Sequence, residues 1–141
     1  MSLDTGTALE WAAQRKHAVL ITTKADGSPQ SSDVVYAVLD GALCVSVTHD
    51  RAKTANMRRD PRIVLHVTEP SSWSYVSFSG TASLSPVAAD PADATVDTLC
   101  ALYEAVSGGP HDDWDEYRAA MVDDGRLVVS LTPDRAVGQL H

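Results

Sequence analysis

Long apolar runs are missing from this chain. None approaches the ~18 residues that a membrane span needs, so no transmembrane segment is expected. Cysteine is scarce. Cys44 and Cys100 each sit in an apolar context outside any C-x-x-C spacing, which points to buried free thiols in a reducing compartment. Positive charge is also scarce, with 11 Lys and Arg against 19 Asp and Glu and a formal net charge of −8. A general nucleic-acid binder needs broad positive potential, so that class is set aside. The five histidines (His17, His49, His66, His111 and His141) fall in no H-x-H or H-E-x-x-H spacing, and no metal site is expected. There is no G-x-S-x-G, no G-x-x-x-x-G-K-[ST], and no G-x-G-x-x-G behind a strand. Those absences argue against a hydrolase nucleophile, a P-loop and a Rossmann site. The acidic pairs Asp112-Asp113, Asp115-Glu116 and Asp123-Asp124 read as helix caps and solvated faces. Met1-Ser2-Leu3-Asp4 lacks the basic and apolar regions of a signal peptide, and a cytoplasmic location is expected.

What is present is an ordinary globular balance. The 141 residues are 44% hydrophobic and 21% charged, enough for one domain over 1–141 that buries roughly 68% of the unfolded surface. Thr7-Ala8-Leu9-Glu10 fits a capping box ahead of a helix from about Ala8 to Lys16. Three strands follow, His17 to Lys24, Pro29 to Leu39 and Ala42 to Thr48, joined at Asp26-Gly27 and Asp40-Gly41. Asp-Gly is a strong hairpin signal because both central turn positions need positive φ. A short helix, with Asp50 able to cap it and Pro61 to stop it, leads to a strand over Arg62 to Glu69. Trp73 to Ser85 reads as a long strand in which Gly80 marks a bulge or bend. Two helices follow, the first opened by Pro91 and running to about Ser107, the second capped by Asp112. Arg126 to Thr132 is a strand, and Ala136 to Leu140 a last edge strand. The class is mainly β with short helices (α+β). Six or seven strands joined mostly by hairpins are expected to close into a small antiparallel barrel, since closure removes exposed edges. Side chains fill so small an interior, so any cofactor must sit outside it.

Five of the 11 basic residues fall between Thr48 and Arg62: Arg51, Lys53, Arg58, Arg59 and Arg62. A basic helix N-terminus just past a strand is a physical arrangement for holding a phosphate. The competing reading is a solvated connector. Arg51 offers a planar fork and Lys53 a point charge, beside backbone N–H groups with no intrahelical partner. Asp50 cuts against the site, because a capping carboxylate would repel a phosphate there. Either it turns away or the phosphate rests on the side chains. Ser46, Val47 and Thr48 lead into this end of the helix, and Gln30, Ser31 and Ser32 are expected to pair alongside. Small polar side chains and backbone groups of this kind can hydrogen-bond the edge of a planar heterocycle. Trp73 and Tyr75 can cover a ring, or Trp73 can serve as a strand-end anchor.

The motif Arg51-Ala52-Lys53-Thr54-Ala55-Asn56-Met57-Arg58-Arg59-Asp60-Pro61-Arg62 carries a resemblance. So do Asp26-Gly27-Ser28-Pro29-Gln30, Trp73-Ser74-Tyr75, Gly80-Thr81-Ala82, the stretch Asp113 to Val122 and the strand Arg126 to Pro133. Together they resemble the pyridoxamine 5′-phosphate oxidase-like flavin/deazaflavin oxidoreductases, and among them group B, which uses coenzyme F420. The resemblance covers nearly the whole chain. It implies an FMN-binding-like split β-barrel, six- to seven-stranded and antiparallel, and a homodimer with cofactor sites at the interface. It implies that Arg51, Lys53 and Thr54 hold the cofactor phosphate. Gln30, Ser32, Ser46 and Thr48 would lie along the ring and ribityl chain, with Val47 and Met57 completing the cofactor set. Trp73 and Tyr75 would come from the other subunit. Lys24 stands near the first hairpin, where relatives meet the oligoglutamate tail, without a second basic residue in the turn.

The leading functional reading is an F420-dependent reductase that delivers a hydride to a conjugated small-molecule acceptor; no side chain is singled out as general acid. The alternatives are an FMN-dependent pyridoxamine phosphate oxidase-like enzyme and a non-catalytic protein that binds F420, FMN or haem. Neither nucleic acid nor membrane is an expected partner.

Overall fold

The computed structural model describes residues 1–141. The elements in order are β1 (Ser2–Leu3), α1 (Thr5–Ala12), β2 (His17–Thr23), β3 (Pro29–Val35), β4 (Ala37–Leu39) and β5 (Ala42–Thr48). Next come α2 (Ala52–Arg59), β6 (Arg62–Glu69), a 3-10 turn (Pro70–Ser72), β7 (Ser74–Leu84), α3 (Ala94–Ser107), α4 (Trp114–Asp123), β8 (Arg126–Leu131) and β9 (Arg135–Gln139). Antiparallel neighbours run β3-β2-β6-β7-β8-β5-β4, and β9 pairs with β7 and β1. The two ends of that path, β3 and β4, are consecutive pieces of chain separated by Tyr36 alone. The sheet therefore curls until its ends meet in one bent strand. This is the expected mainly β, antiparallel split barrel with short helices.

Alternation places the core. Leu43, Val45 and Val47 of β5, Ile63, Leu65 and Val67 of β6, Val76 and Phe78 of β7, and Leu127, Val129 and Leu131 of β8 all point into one cluster. Such interleaving of facing strands is what period-2 patterning produces. On the outside, α3 and α4 cover β4, β5 and β8, burying Ala37, Cys44 and Val128 against Val96, Leu99, Leu102 and Met121. That second layer explains why β8 reads Leu127-Val128-Val129 without alternation: both of its faces are covered.

The elements depart from the sequence expectation in several places. The strand expected over Pro29 to Leu39 breaks at Tyr36, which is fully buried. Its hydroxyl donates to the Ala12 carbonyl at 2.6 Å and its amide to the Lys16 carbonyl at 2.9 Å. The end of α1 thus pins the point where the strand bends. The cap of α1 is Asp4, which accepts from the Thr7 amide at 2.9 Å, so the helix starts three residues ahead of the Thr7 capping box. Asp93, not Pro91, precedes the first turn of α3 and accepts from the Val96 amide at 2.8 Å. Asp113 rather than Asp112 caps α4. Trp73 lies outside β7 with φ 59°, closing the 3-10 turn. The last strand is no edge, because β1 pairs along β9. Gly80 sits where β7 passes from β9 to β8. A Cβ there would stand 3.0 Å from Leu131 Cδ1 and 3.2 Å from the Thr132 carbonyl oxygen. The glycine permits the close approach that the change of partner requires.

One expected pairing is absent. Gln30, Ser31 and Ser32 do not hydrogen-bond with Ser46–Thr48. β3 pairs with β2, and β5 pairs with β4 and β8. The bend at Tyr36 releases β3 from β5 just past the hairpin.

Candidate functional site

The site grows from the end of β5. The Thr48 carbonyl accepts from the Thr54 hydroxyl at 2.7 Å, so the first turn of α2 is tied back onto the strand it leaves. Arg51 is the N-cap residue of α2, and no side chain caps the helix. Asp50 does not cap it. The Thr48 hydroxyl, foremost among its neighbours, holds the Asp50 carboxyl below its usual range. No side chain caps the N-terminal amides of α2, while the Asp50 carboxylate stays beside the Thr48 hydroxyl and Arg51.

Lys53 follows in the first turn and is partly buried. It forms no ion pair with any carboxylate. Burial, then the charges of Arg51 and Arg126, push its ammonium below the usual lysine range. Arg126 opens β8 directly opposite Thr48. Its Nη1 donates to Ser46 Oγ at 3.3 Å, and its Nε is buried with no hydrogen-bond partner. The nearest carboxylate oxygen, from Asp124, lies 3.8 Å from that Nε. Two neighbouring strands and a helix N-terminus thus bring Arg51, Lys53 and Arg126 together beside the Ser46 hydroxyl, with the Thr48 hydroxyl engaged by Asp50. Like charges this close disfavour one another's ionisation, and an anion among them relieves the repulsion. The donor set fits a phosphate and is otherwise unexplained in a protein of net charge −8.

A second polar group lies further along α2. Asn56 is 6% exposed. Its Nδ2 donates to Gln30 Oε1 at 2.8 Å and to Thr22 Oγ1 at 3.1 Å. Its Oδ1 accepts from Arg59 Nη2 at 2.9 Å, and the same nitrogen reaches the Thr23 carbonyl at 3.0 Å. The helix that carries the cationic turn therefore also grips β2 and β3. Gln30 and Ser32 share one face of β3, both partly exposed. One side of α2 presents charge and the other steadies the polar edge of β3.

Three expected site residues are core residues. Thr54 is 0% exposed with its hydroxyl committed to Thr48, and Met57 and Val47 are each 1% exposed inside the barrel cluster. Their side chains are buried where they hold α2 and β5 in place. Trp73, 83% exposed, and Tyr75 are both exposed on the surface. They line a recess of about 410 Å³ with His66, Thr68, Pro70 and Ser74. Tyr75 lies 5.7 Å from the His66 ring, and His66 Nδ1 shares a 2.7 Å hydrogen bond with Ser77 Oγ. No residue of the α2 site lines this recess.

Arg126 and Asn56 were not among the residues that the sequence singled out. Arg126 stands far along the chain from Thr48, and only the antiparallel register of β5 and β8 joins them. The one local signal was an isolated arginine at the mouth of an apolar strand. Asn56 lay within the basic motif, but nothing in its spacing announced a buried amide.

A profile of the pyridoxamine 5′-phosphate oxidase family matches residues 5–139. The fold is shared with several solved structures. A conserved hypothetical protein from Mycobacterium tuberculosis superposes with a TM-score of 0.77 at 21% identity, over 96% of this chain and 84% of that one. An F420 reductase gives 0.69 at 22% identity, over 91% and 94%. A pyridoxamine 5′-phosphate oxidase-related, FMN-binding protein from Nostoc punctiforme gives 0.64 at 16% identity, over 98% and 86%. The chain belongs to the pyridoxamine 5′-phosphate oxidase-like, flavin-binding family of split barrels.

Proposed function

We propose that this member of the pyridoxamine 5′-phosphate oxidase family is a reductase that uses coenzyme F420 and reduces a conjugated small molecule with an electron-poor double bond. The observation that carries the reading is the cationic turn: Arg51, Lys53 and Arg126 beside Ser46 and Thr48, with no carboxylate paired to Arg51 or Lys53. The turn suits the phosphate of a flavin-type cofactor. The Gln30 and Ser32 face of β3 suits the polar edge of its ring. The basic motif of group B and the shared fold with an F420 reductase favour the deazaflavin.

When bound, the cofactor supplies the hydride. The protein's own residues supply binding and orientation. Arg51, Lys53 and Arg126 hold the anionic end, Thr54 and Thr48 lock the helix that carries it, and Gln30 addresses the ring. The protein acts as a homodimer in this reading, with Trp73 and Tyr75 of one copy closing over the ring held by the other and excluding water from it. The exposure of Trp73 supports that arrangement, since a lone monomer gains nothing from presenting so large an indole to solvent.

Fluorescence titration with F420 and with FMN tests the proposal, followed by single turnover of the reduced cofactor against quinone and tetrapyrrole acceptors. Tight F420 binding with acceptor reduction is the expected result. FMN binding with no F420 binding would assign the protein to the FMN branch, a reading favoured by its fold likeness to an FMN-binding protein. Binding without turnover of any acceptor would make it a carrier.

A further inference from the structure

The hydrogen bonds behind Gln30 have a fixed polarity. The chain starts at Arg59, whose guanidinium can only donate. Its Nη2 meets Asn56 at 2.9 Å, so the atom of Asn56 facing it must be the carbonyl oxygen Oδ1. The Asn56 amide can then point only its NH2 group toward β2 and β3, where it lies 2.8 Å from Gln30 and 3.1 Å from Thr22 Oγ1. The atom of Gln30 that receives it must accept and is therefore Oε1. Gln30 Nε2 is left turned away from α2, and no other group of the protein takes up its protons. Ordinarily the two ends of a glutamine amide are interchangeable. Here an arginine two residues removed in the network forbids the exchange, because a flip at Asn56 would set two donors against each other.

We infer that Asn56, oriented by Arg59, is a positioning residue that makes Gln30 a hydrogen-bond donor toward the ligand, so that the site selects planar heterocycles presenting an acceptor atom (a carbonyl oxygen or an unprotonated ring nitrogen) at that edge. The inference rests on the cofactor site proposed above and names the polarity of its ring subsite. It gives Arg59, outside the cationic turn, a reason to be an arginine. It also explains a buried asparagine in the middle of a helix: three of its hydrogen-bonding positions are used, and each is needed to hold the others in register.

Side-chain amide 15N NMR on the ligand-free protein reads the polarity directly. The Gln30 NH2 protons are expected to exchange with solvent freely and those of Asn56 to be protected. Protected Gln30 protons would overturn the inference. Binding of F420 and FMN to a double-mutant cycle reads its consequence. Asn56→Asp keeps the shape and the Arg59 contact but offers only acceptors, so the Gln30 amide turns round and shows its oxygen to the ligand. A loss of affinity of tenfold or more is expected, together with a shift of the bound cofactor's visible absorption band. In a Gln30→Met background, which has no amide to orient, Asn56→Asp should change affinity by less than twofold. Equal losses in both backgrounds would make Asn56 merely structural and overturn the inference. Gln30→Glu, at a partly exposed position that leaves the Asn56 bond intact, should reproduce the Asn56→Asp loss, and wild-type affinity in that variant would also overturn it. A wild-type protein that binds neither cofactor would overturn the proposed function itself, which separates the two failures.

Discussion

Lys53 carries a charge at a cost. Burial and the neighbouring Arg51 and Arg126 lower its proton affinity in the free protein, and an anion seated among the three raises it again. Ligand binding therefore takes up protons. The sign follows: affinity is flat at low pH and declines as the pH rises through the depressed value of free Lys53, below the 10.5 of an ordinary lysine. A phosphodiester is singly ionised throughout this range and a phosphomonoester is fully ionised above its second pKa of about 6, so for either cofactor the alkaline decline belongs to the lysine. Fluorescence titrations across alkaline pH should show it, and Lys53→Arg, which stays protonated, should abolish it. Lys53→Ala should weaken cofactor binding by roughly 1.5–3 kcal/mol, the scale of a charge-assisted hydrogen bond. Arg126→Ala should weaken it to a similar degree. Unchanged affinity in both variants would return the basic turn to a solvated surface. At this scale the sequence was half legible. Arg51 and Lys53 were visible because they stand beside a strand end and a helix start. Thr54 and Met57 belonged to the same motif and still turned inward, because helical rotation carries successive residues to different faces.

At the scale of elements, α2 is held at two points, by Thr54 on β5 and by Asn56 and Arg59 on β2 and β3. Thr54→Val keeps the volume but removes the shorter of the two hydrogen bonds to the Thr48 carbonyl, leaving only the Arg51 amide at 3.4 Å. A loss of about 0.5–1.5 kcal/mol is expected, the net worth of one hydrogen bond, and denaturant unfolding measures it. Because the same bond sets the first turn against β5, cofactor affinity should fall in this variant as well. The β7–β9 contact makes a second demand. A Cβ on Gly138 would collide with the Tyr75 carbonyl and the backbone of Val76. Gly138→Ala should therefore cost about 1–3 kcal/mol of strain and displace Tyr75, lowering its contribution to any ring wall. Alternating apolar residues marked β5 and β6, and an apolar run bounded by turn residues marked β8, each to within a residue. The break at Tyr36 did not show in the same way, since its cause is a hydrogen bond to Ala12 from a helix two elements away.

For the whole molecule, the balance of charge matters more than any single contact. A net charge of −8 repels anions generally, and the one turn where Arg51, Lys53 and Arg126 gather is the place where the proposed anionic cofactor would be admitted. The affinity of an anionic cofactor should fall as salt is raised, since exposed charges are screened over about 8 Å at physiological ionic strength. Arg58, exposed near the end of α2, should add little: Arg58→Ala is expected to leave both affinity and salt slope nearly unchanged, in contrast to Arg51→Ala. Sedimentation with and without cofactor tests the two-copy arrangement. Stabilisation of the dimer by ligand is the expected outcome, because a ligand shared across an interface binds the pair better than the single chain.

The amino-acid sequence by itself determined the class of fold, the hairpin turns around Asp26-Gly27 and Asp40-Gly41 (only the second takes positive φ at both residues), the inward faces of the regular strands and the concentration of basic charge at the start of α2. Each of these is local: turn conformation, period-2 patterning and charge density are properties of a few neighbouring residues. The tertiary structure decided that Asp50 would leave α2 uncapped, that Arg126 would complete the cationic cluster, and that Asn56 would orient Gln30. These depend on strand register and on hydrogen bonds between residues far apart in the chain, and such partners exist only once the sheet has curled and brought α2 against β2, β3 and β5.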